Sequence, residues 1–183
     1  LYSFYRISKP STEQVAPEQV DKEYRSLRNR TFWGVTVAYS LYYVCRMSLS
    51  VVKQPLIDEG VLSAGELGVI GSALLFIYAV GKFMNGFIAD YCNIKRFMAT
   101  GLFFSALINL ILGVLGVFND LVPLTTAVIF FSFAILWGIN GWMQSMGSPP
   151  GVICLSRWFP KSQRGTFYSI FCSLDTPGIA VFQ

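Results

Sequence analysis

Two basic side chains, Arg46 and Lys82, stand inside long apolar stretches of this 183-residue chain. Arg46 is the only acid or strong base in residues 31–52, and Lys82 is the only one in residues 67–89. A Lys or Arg at the centre of a membrane-crossing helix costs about 2.5–3.5 kcal/mol on insertion scales, so such a charge marks a functional site by default. The first four apolar stretches contain no carboxylate. Two like charges without a local counter-ion imply that the counter-ion is a ligand, and a phosphate-bearing anion fits that chemistry. Arg suits it best, because the planar guanidinium donates two parallel hydrogen bonds to one oxyanion. By position alone Arg46 has a second reading. It lies about six residues, or roughly 9 Å at helical rise, from the end of its stretch, and could snorkel to the headgroups as an anchor.

The elements that must hold these cations are long apolar helices. The chain is 54% hydrophobic and 13% charged, against about 25% charged in soluble domains. Apolar runs near 20 residues match a hydrocarbon core about 30 Å thick. The expected fold is therefore all-α, a polytopic membrane helix bundle with about five transmembrane helices. The expected spans are residues 31–52, 67–89, 97–118, 121–146 and 165–183, preceded by a tail over residues 1–30. Since the last span runs into the final residue, the bundle is expected to be part of a larger one.

Charge follows the connections between spans. Arg25, Arg28 and Arg30 precede the first span, whereas the next connection carries Asp58, Glu59 and Glu66 against Lys53. Lys95 and Arg96 accompany Asp90 in the following one, Asp120 stands in the next, and Arg157, Lys161 and Arg164 occupy the last. This alternation predicts an N-terminus in the cytoplasm, and the expected location is the cell (inner) membrane. The net charge of +4 is thereby explained by topology rather than by nucleic-acid binding. The polar first 30 residues predict no cleavable signal peptide. Cys45, Cys92, Cys154 and Cys172 are expected to be free thiols on this topology, and no His or Cys cluster has metal-ligand spacing. No cofactor is expected, and the chemistry is that of binding rather than of an enzyme.

Helical spacing assigns faces. Tyr39, Tyr42, Tyr43, Arg46 and Ser50 recur at three- and four-residue steps in the first span. Gly71, Tyr78, Lys82 and Asn85 share a face of the second, and Asn140, Gln144, Gly147 and Gly151 share one of the fourth. Gly101, Ser105, Asn109 and Gly113 form a small-residue strip suited to close packing on the third, which is expected to be peripheral to the cavity. Gly71, Gly81, Gly86, Gly147 and Gly151 are expected as packing positions. Residues 21–30 suggest a short interfacial helix, Ser63 to Glu66 a capping box, Asn119-Asp120 a tight turn, and Pro149-Pro150 a break in the fourth span. Gln144 reads equally as a pocket donor or an interhelical hydrogen bond.

Three segments together resemble a known family. They are Tyr39-Ser-Leu-Tyr-Tyr-Val-Cys-Arg46, the run Tyr78-Ala-Val-Gly-Lys-Phe-Met-Asn-Gly-Phe-Ile-Ala-Asp90, and Gly141-Trp-Met-Gln-Ser-Met-Gly-Ser-Pro-Pro150 followed by Trp158 and Gln163-Arg-Gly165. From about Tyr24 to the end, the chain resembles the N-terminal half of the major facilitator superfamily. Within it, the match is to the organophosphate:phosphate antiporter branch, which includes hexose-phosphate and glycerol-3-phosphate transporters and a hexose-phosphate sensor. The resemblance implies two six-helix halves built of inverted repeats, with a site at their interface near the midplane. It implies that Arg46 binds the phosphate, that Lys82 supports the anionic pocket, and that Tyr39, Tyr42 and Tyr43 line it. The partners it implies are a small phosphorylated substrate, inorganic phosphate, the lipid bilayer and the C-terminal half of the same chain. Asp90 would belong to a loop latch with a basic partner, for which Arg164 is the candidate. The alternatives of a sugar-phosphate sensor acting on a partner kinase, and of a proton-coupled carrier, remain open at this point.

The sequence departs from the branch at two places. Met47 follows the first-helix Arg where the branch often has Lys, and Asp175 stands where the branch has a substrate-binding His. Cys172, Thr176 and Pro177 also differ around that site. Asp175 lies about ten residues past the start of its span, roughly 15 Å deep. It could pair with Arg46 or Lys82 in the empty state, serve as a proton site, or mark a drifted position.

Overall fold

The computed structural model describes residues 5–7, 16–121 and 125–173. Those residues form six helices: α1 (Val20–Asp58), α2 (Ala64–Tyr91), α3 (Ile94–Leu121), α4 (Thr126–Gln144), α5 (Ser148–Trp158) and α6 (Lys161–Ser173). Four stretches are long and apolar enough to cross a membrane: Val20–Asp58, Ala64–Tyr91, Ile94–Asn119 and Thr126–Trp158. The fold is an all-helical, multi-pass membrane bundle.

Local chemistry sets most of the boundaries. Ser63 and Glu66 close a reciprocal capping box at the start of α2, the Ser63 amide donating to Glu66 Oε2 at 2.8 Å. The turn before it places Gly60 at φ 69°, a conformation that glycine adopts without strain. Asn93 starts α3, its side chain accepting from the Arg96 amide at 3.3 Å. Between α4 and α5 the chain turns at residues 145–147, and prolines occupy the first turn of α5, where no intrahelical amide is needed.

Two boundaries differ from the sequence expectation. Residues 21–30 are no separate interfacial helix but the first turns of α1, which runs unbroken for 39 residues. No Pro or Gly interrupts residues 20–33, so nothing stops the helix from extending past the apolar part. At about 58 Å it is much longer than a hydrocarbon core. Likewise, Asn119-Asp120 is not a turn, because α3 continues to Leu121.

Two of the three apolar clusters that the described helices bury lie at opposite ends of the bundle. One joins Leu67, Ile70 and Leu74 of α2 to Ile108 and Leu112 of α3 and to Ile129, Phe133 and Trp137 of α4. The other joins Phe32 and Tyr39 of α1 to Leu155 and Phe159 around α5 and to Phe171 of α6. At that second end Tyr24 stacks on Trp158, with ring centroids 6.1 Å apart, and its hydroxyl donates to the Trp158 carbonyl at 2.6 Å. The early turns of α1 are thereby pinned to α5. The helices also bury a band of polar side chains that includes Asn85, Ser105, Asn140, Gln144 and Ser145.

Glycines let the helices approach closely enough to keep that band buried. A Cβ on Gly141 would meet the Leu74 carbonyl oxygen at 2.5 Å, and one on Gly138 would meet Ile77 Cδ1 at 2.8 Å, so α2 and α4 pack nearly backbone to backbone. Gly81, Gly147 and Gly151 are similarly crowded, whereas Gly71 and Gly86 have open space and are not the packing positions expected.

Gly141→Ala should therefore destabilise the bundle by about 1–3 kcal/mol through overpacking against backbone, read as a lowered melting temperature in detergent. Gly71→Ala, with nothing near its added methyl, should leave that temperature unchanged or raise it.

Candidate functional site

The two cations meet across one aromatic ring. Arg46 Cζ lies 4.4 Å from the centroid of Tyr78, and Lys82 Nζ lies 5.1 Å from the same centroid. The charges are therefore neighbours, one from α1 and one from α2. Tyr43 completes the row, its ring 5.1 Å from Arg46 Cζ. Such contacts hold a cation over the negative face of the ring and contribute about 0.5–2 kcal/mol each. They let a membrane helix carry positive charge without neutralising it.

Arg46 points into the bundle rather than out to the headgroups. Its Nε donates to Gln144 Oε1 at 2.7 Å, across from α1 to the end of α4. Gln144 is 1% exposed, so this bond is made in a low-dielectric setting where it is strong and where leaving it unmade is costly. Gln144 thus makes an interhelical hydrogen bond, its carbonyl accepting from the cation, rather than standing open as a pocket donor. Arg46 itself is half-buried and Lys82 is exposed among the described helices. Among the described residues neither has a carboxylate within ion-pair distance; the one ion pair there is Arg157 with Asp90 at 3.6 Å.

Of the three expected tyrosines, the structure brings Tyr43 to Arg46 and sends the other two elsewhere. Tyr39 is buried, stacks on Phe171 at 4.6 Å and touches Tyr43 edge-on at 5.4 Å, so it supports the ring beside the cation. Tyr42 is 1% exposed and donates to the Met98 carbonyl at 2.8 Å. It sits in the seam of α1 against α3, beside Gly101 and Gly147, and does not line the open face. A polar face a full tyrosine wide reaches two neighbours at once, so spacing alone could not separate lining from packing.

The latch pairing also differs. The basic partner of Asp90 is Arg157, whose Nη2 also donates to the Asp90 carbonyl at 3.2 Å. Arg164 instead donates to the carbonyls of Ser156 at 2.6 Å and Phe159 at 2.8 Å, bracing the α5–α6 turn. Both members of the Asp90 pair are about half exposed, so it contributes little to stability. Asp175, with Thr176 and Pro177, lies outside the described residues.

Tyr78 is the site residue that the sequence reading underrated. Its signal was present, because Lys82 follows it by four residues and the two stand on one helix face. The third span was underrated too. Beyond the close packing expected of it, α3 provides Ser105 to the buried polar band and half-buried Asn109 to a contact with α1: Ser105 donates to Asn140 at 2.6 Å, and Asn109 contacts Ser48. Among the described residues no three His, Cys, Asp or Glu side chains could share a metal ion. The site is one of positive charge, aromatic faces and hydrogen-bond donors, a set suited to an oxyanion.

The chain is similar in sequence to known proteins. Over 165 residues the chain is 36% identical to a "Probable hexose phosphate transport protein" of Chlamydia muridarum, covering 90% of this chain and 34% of that protein. It is 34% identical to a "Glycerol-3-phosphate transporter" of Bacillus subtilis, over 94% of this chain and 39% of the relative. With the "Membrane sensor protein UhpC" of Escherichia coli it shares 27% identity over 89% of this chain and 34% of that one. The chain spans about a third of the length of these curated relatives. Residues 35–181 match the Major Facilitator Superfamily, and this membrane helix bundle belongs to that family.

Proposed function

We propose that this chain forms the first part of a secondary transporter that exchanges an organophosphate, such as a sugar phosphate or glycerol phosphate, for inorganic phosphate by alternating access. The observation that carries this reading is the pair of cations sharing Tyr78, with Arg46 aimed inward and no acid paired to either among the described residues. A dianionic phosphoryl group supplies the missing charge. Arg46 clamps it and Lys82 adds a second positive charge. The names of the relatives agree with this substrate class.

In this scheme the remaining part of the protein supplies the opposite wall. An oxyanion held between the two walls draws them together, so the ligand shifts the balance of inward- and outward-open states through its differential affinity. No covalent bond is made or broken. The basic connections face the cytoplasm, which puts Asp90, Arg157 and the Arg164 brace on the inner side. There the Asp90–Arg157 pair is suited to favour one of the two states.

Replacing Arg46 by Ala in the full-length protein should abolish phosphate counterflow in proteoliposomes, a loss of at least about a hundredfold for a charge-assisted fork to an oxyanion, with membrane insertion intact. Normal counterflow in that variant would refute the role. A milder effect is expected at Tyr78. Tyr78→Leu should weaken phosphate affinity about three- to tenfold by removing the face shared by both cations, while Tyr78→Phe keeps that face and should stay within about twofold of the parent.

The similarity to UhpC favours a second reading, a membrane sensor that binds the same sugar phosphate. Net uptake of labelled sugar phosphate into vesicles identifies a transporter, and saturable binding without flux identifies a sensor.

A further inference from the structure

A chain of buried polar groups runs away from the cation site. Beyond the Arg46–Gln144 bond, Gln144 Nε2 reaches Ser105 Oγ at 3.5 Å, and Ser105 Oγ donates to Asn140 Oδ1 at 2.6 Å. Gln144, Ser105 and Asn140 are 1%, 0% and 0% exposed. The Asn140 Nδ2 at the far end is buried without a partner. Nothing in anion binding as described so far requires Ser105 or Asn140.

Their arrangement has a direction. Ser105 has a single proton, and Asn140 Oδ1 takes it. The Ser105 oxygen is then an acceptor toward Gln144, which must offer its NH2 on that side and its carbonyl on the other. That carbonyl faces Arg46 Nε. If the Ser105 proton pointed at Gln144 instead, the amide would turn its NH2 toward the guanidinium, setting donor against donor. With Nε committed to Gln144, the edge left for a ligand is the one formed by the two terminal nitrogens of Arg46. On the α3 side, Asn109 Nδ2 donates to the Ser105 carbonyl at 2.8 Å, tying the relay to a second contact between α3 and α1.

We propose that Ser105 and Asn140 are positioning residues of the anion site: their hydrogen bond fixes the orientation of the Gln144 amide and thereby presents the terminal nitrogens of Arg46 to the oxyanion. This rests on the anion-binding reading above. Neither residue touches the ligand, and each acts only through Gln144. The unpartnered Asn140 amide nitrogen is the cost of keeping its oxygen on Ser105.

The test is a titration of the purified full-length protein with inorganic phosphate, run as a double-mutant cycle. Ser105→Ala should weaken the phosphate Kd by roughly five- to tenfold. Placed on Gln144→Ala, the same substitution should change Kd by less than about twofold, because the group it acts through is gone. A residue that merely fills space would weaken both backgrounds equally. Such equal weakening, or a single variant whose Kd matches the parent, overturns the proposal. Should Ser105→Ala fail to yield folded protein, Asn140→Ala frees the Ser105 proton and is read by the same two outcomes. Absence of phosphate binding by the parent, or unchanged binding by Arg46→Ala, overturns the anion reading and this inference together. That result is visible before any Ser105 variant is made.

Discussion

A guanidinium inside a membrane helix bundle is held here by one short hydrogen bond, from Arg46 Nε to the buried carbonyl of Gln144, and by the faces of Tyr43 and Tyr78. None of these partners carries a formal charge. Neutral partners reduce the cost of placing the cation at depth while leaving its charge available. A carboxylate in the same place would stabilise the empty site more and compete with any anion that entered. Lys82 obeys the same constraint, its ammonium 5.1 Å from the centroid of the same Tyr78 ring.

The rest of the described structure is arranged around keeping that balance. Apolar clusters at the two ends of the bundle hold the helices together, and glycine-mediated contact of α2 with α4 brings Gln144 and the Lys82 face together. The break after Gln144, followed by two prolines at the start of α5, ends α4 just where its last side chain must meet α1. The long α1 is anchored at one end by Tyr24 on Trp158. Arg28 lies near the rings of Phe159 and Phe167 at 5.1 and 5.9 Å. These contacts fix the rotation of α1, and so the direction in which Arg46 points.

Much of this was legible in the sequence. Lone charges in apolar runs, the i, i+4 and i, i+7 spacing around them, the capping box and the paired prolines each have a local physical cause. What the sequence did not reveal depends on which neighbour a helix face meets. Tyr42 and Tyr43 are adjacent in the chain, yet one fills a slot against α3 and the other flanks the cation. Asp90 found Arg157 and not Arg164 because α5 presents Arg157 toward the end of α2, while Arg164 is consumed by carbonyls at its own turn. Ser105 and Asn109 read as a packing strip because small polar residues serve packing and hydrogen bonding equally well. The extension of α1 was missed because hydropathy marks where lipid ends, not where a helix does.

The central claim is that two cations with no acid paired to them among the described residues form a seat for an oxyanion. The most direct measurement is a structure of the full-length protein with bound inorganic phosphate. The account predicts phosphate density against the terminal nitrogens of Arg46 and within reach of Lys82 Nζ, with Gln144 still on Nε. Phosphate bound away from both cations, or Arg46 closed onto a protein carboxylate in its presence, would contradict it.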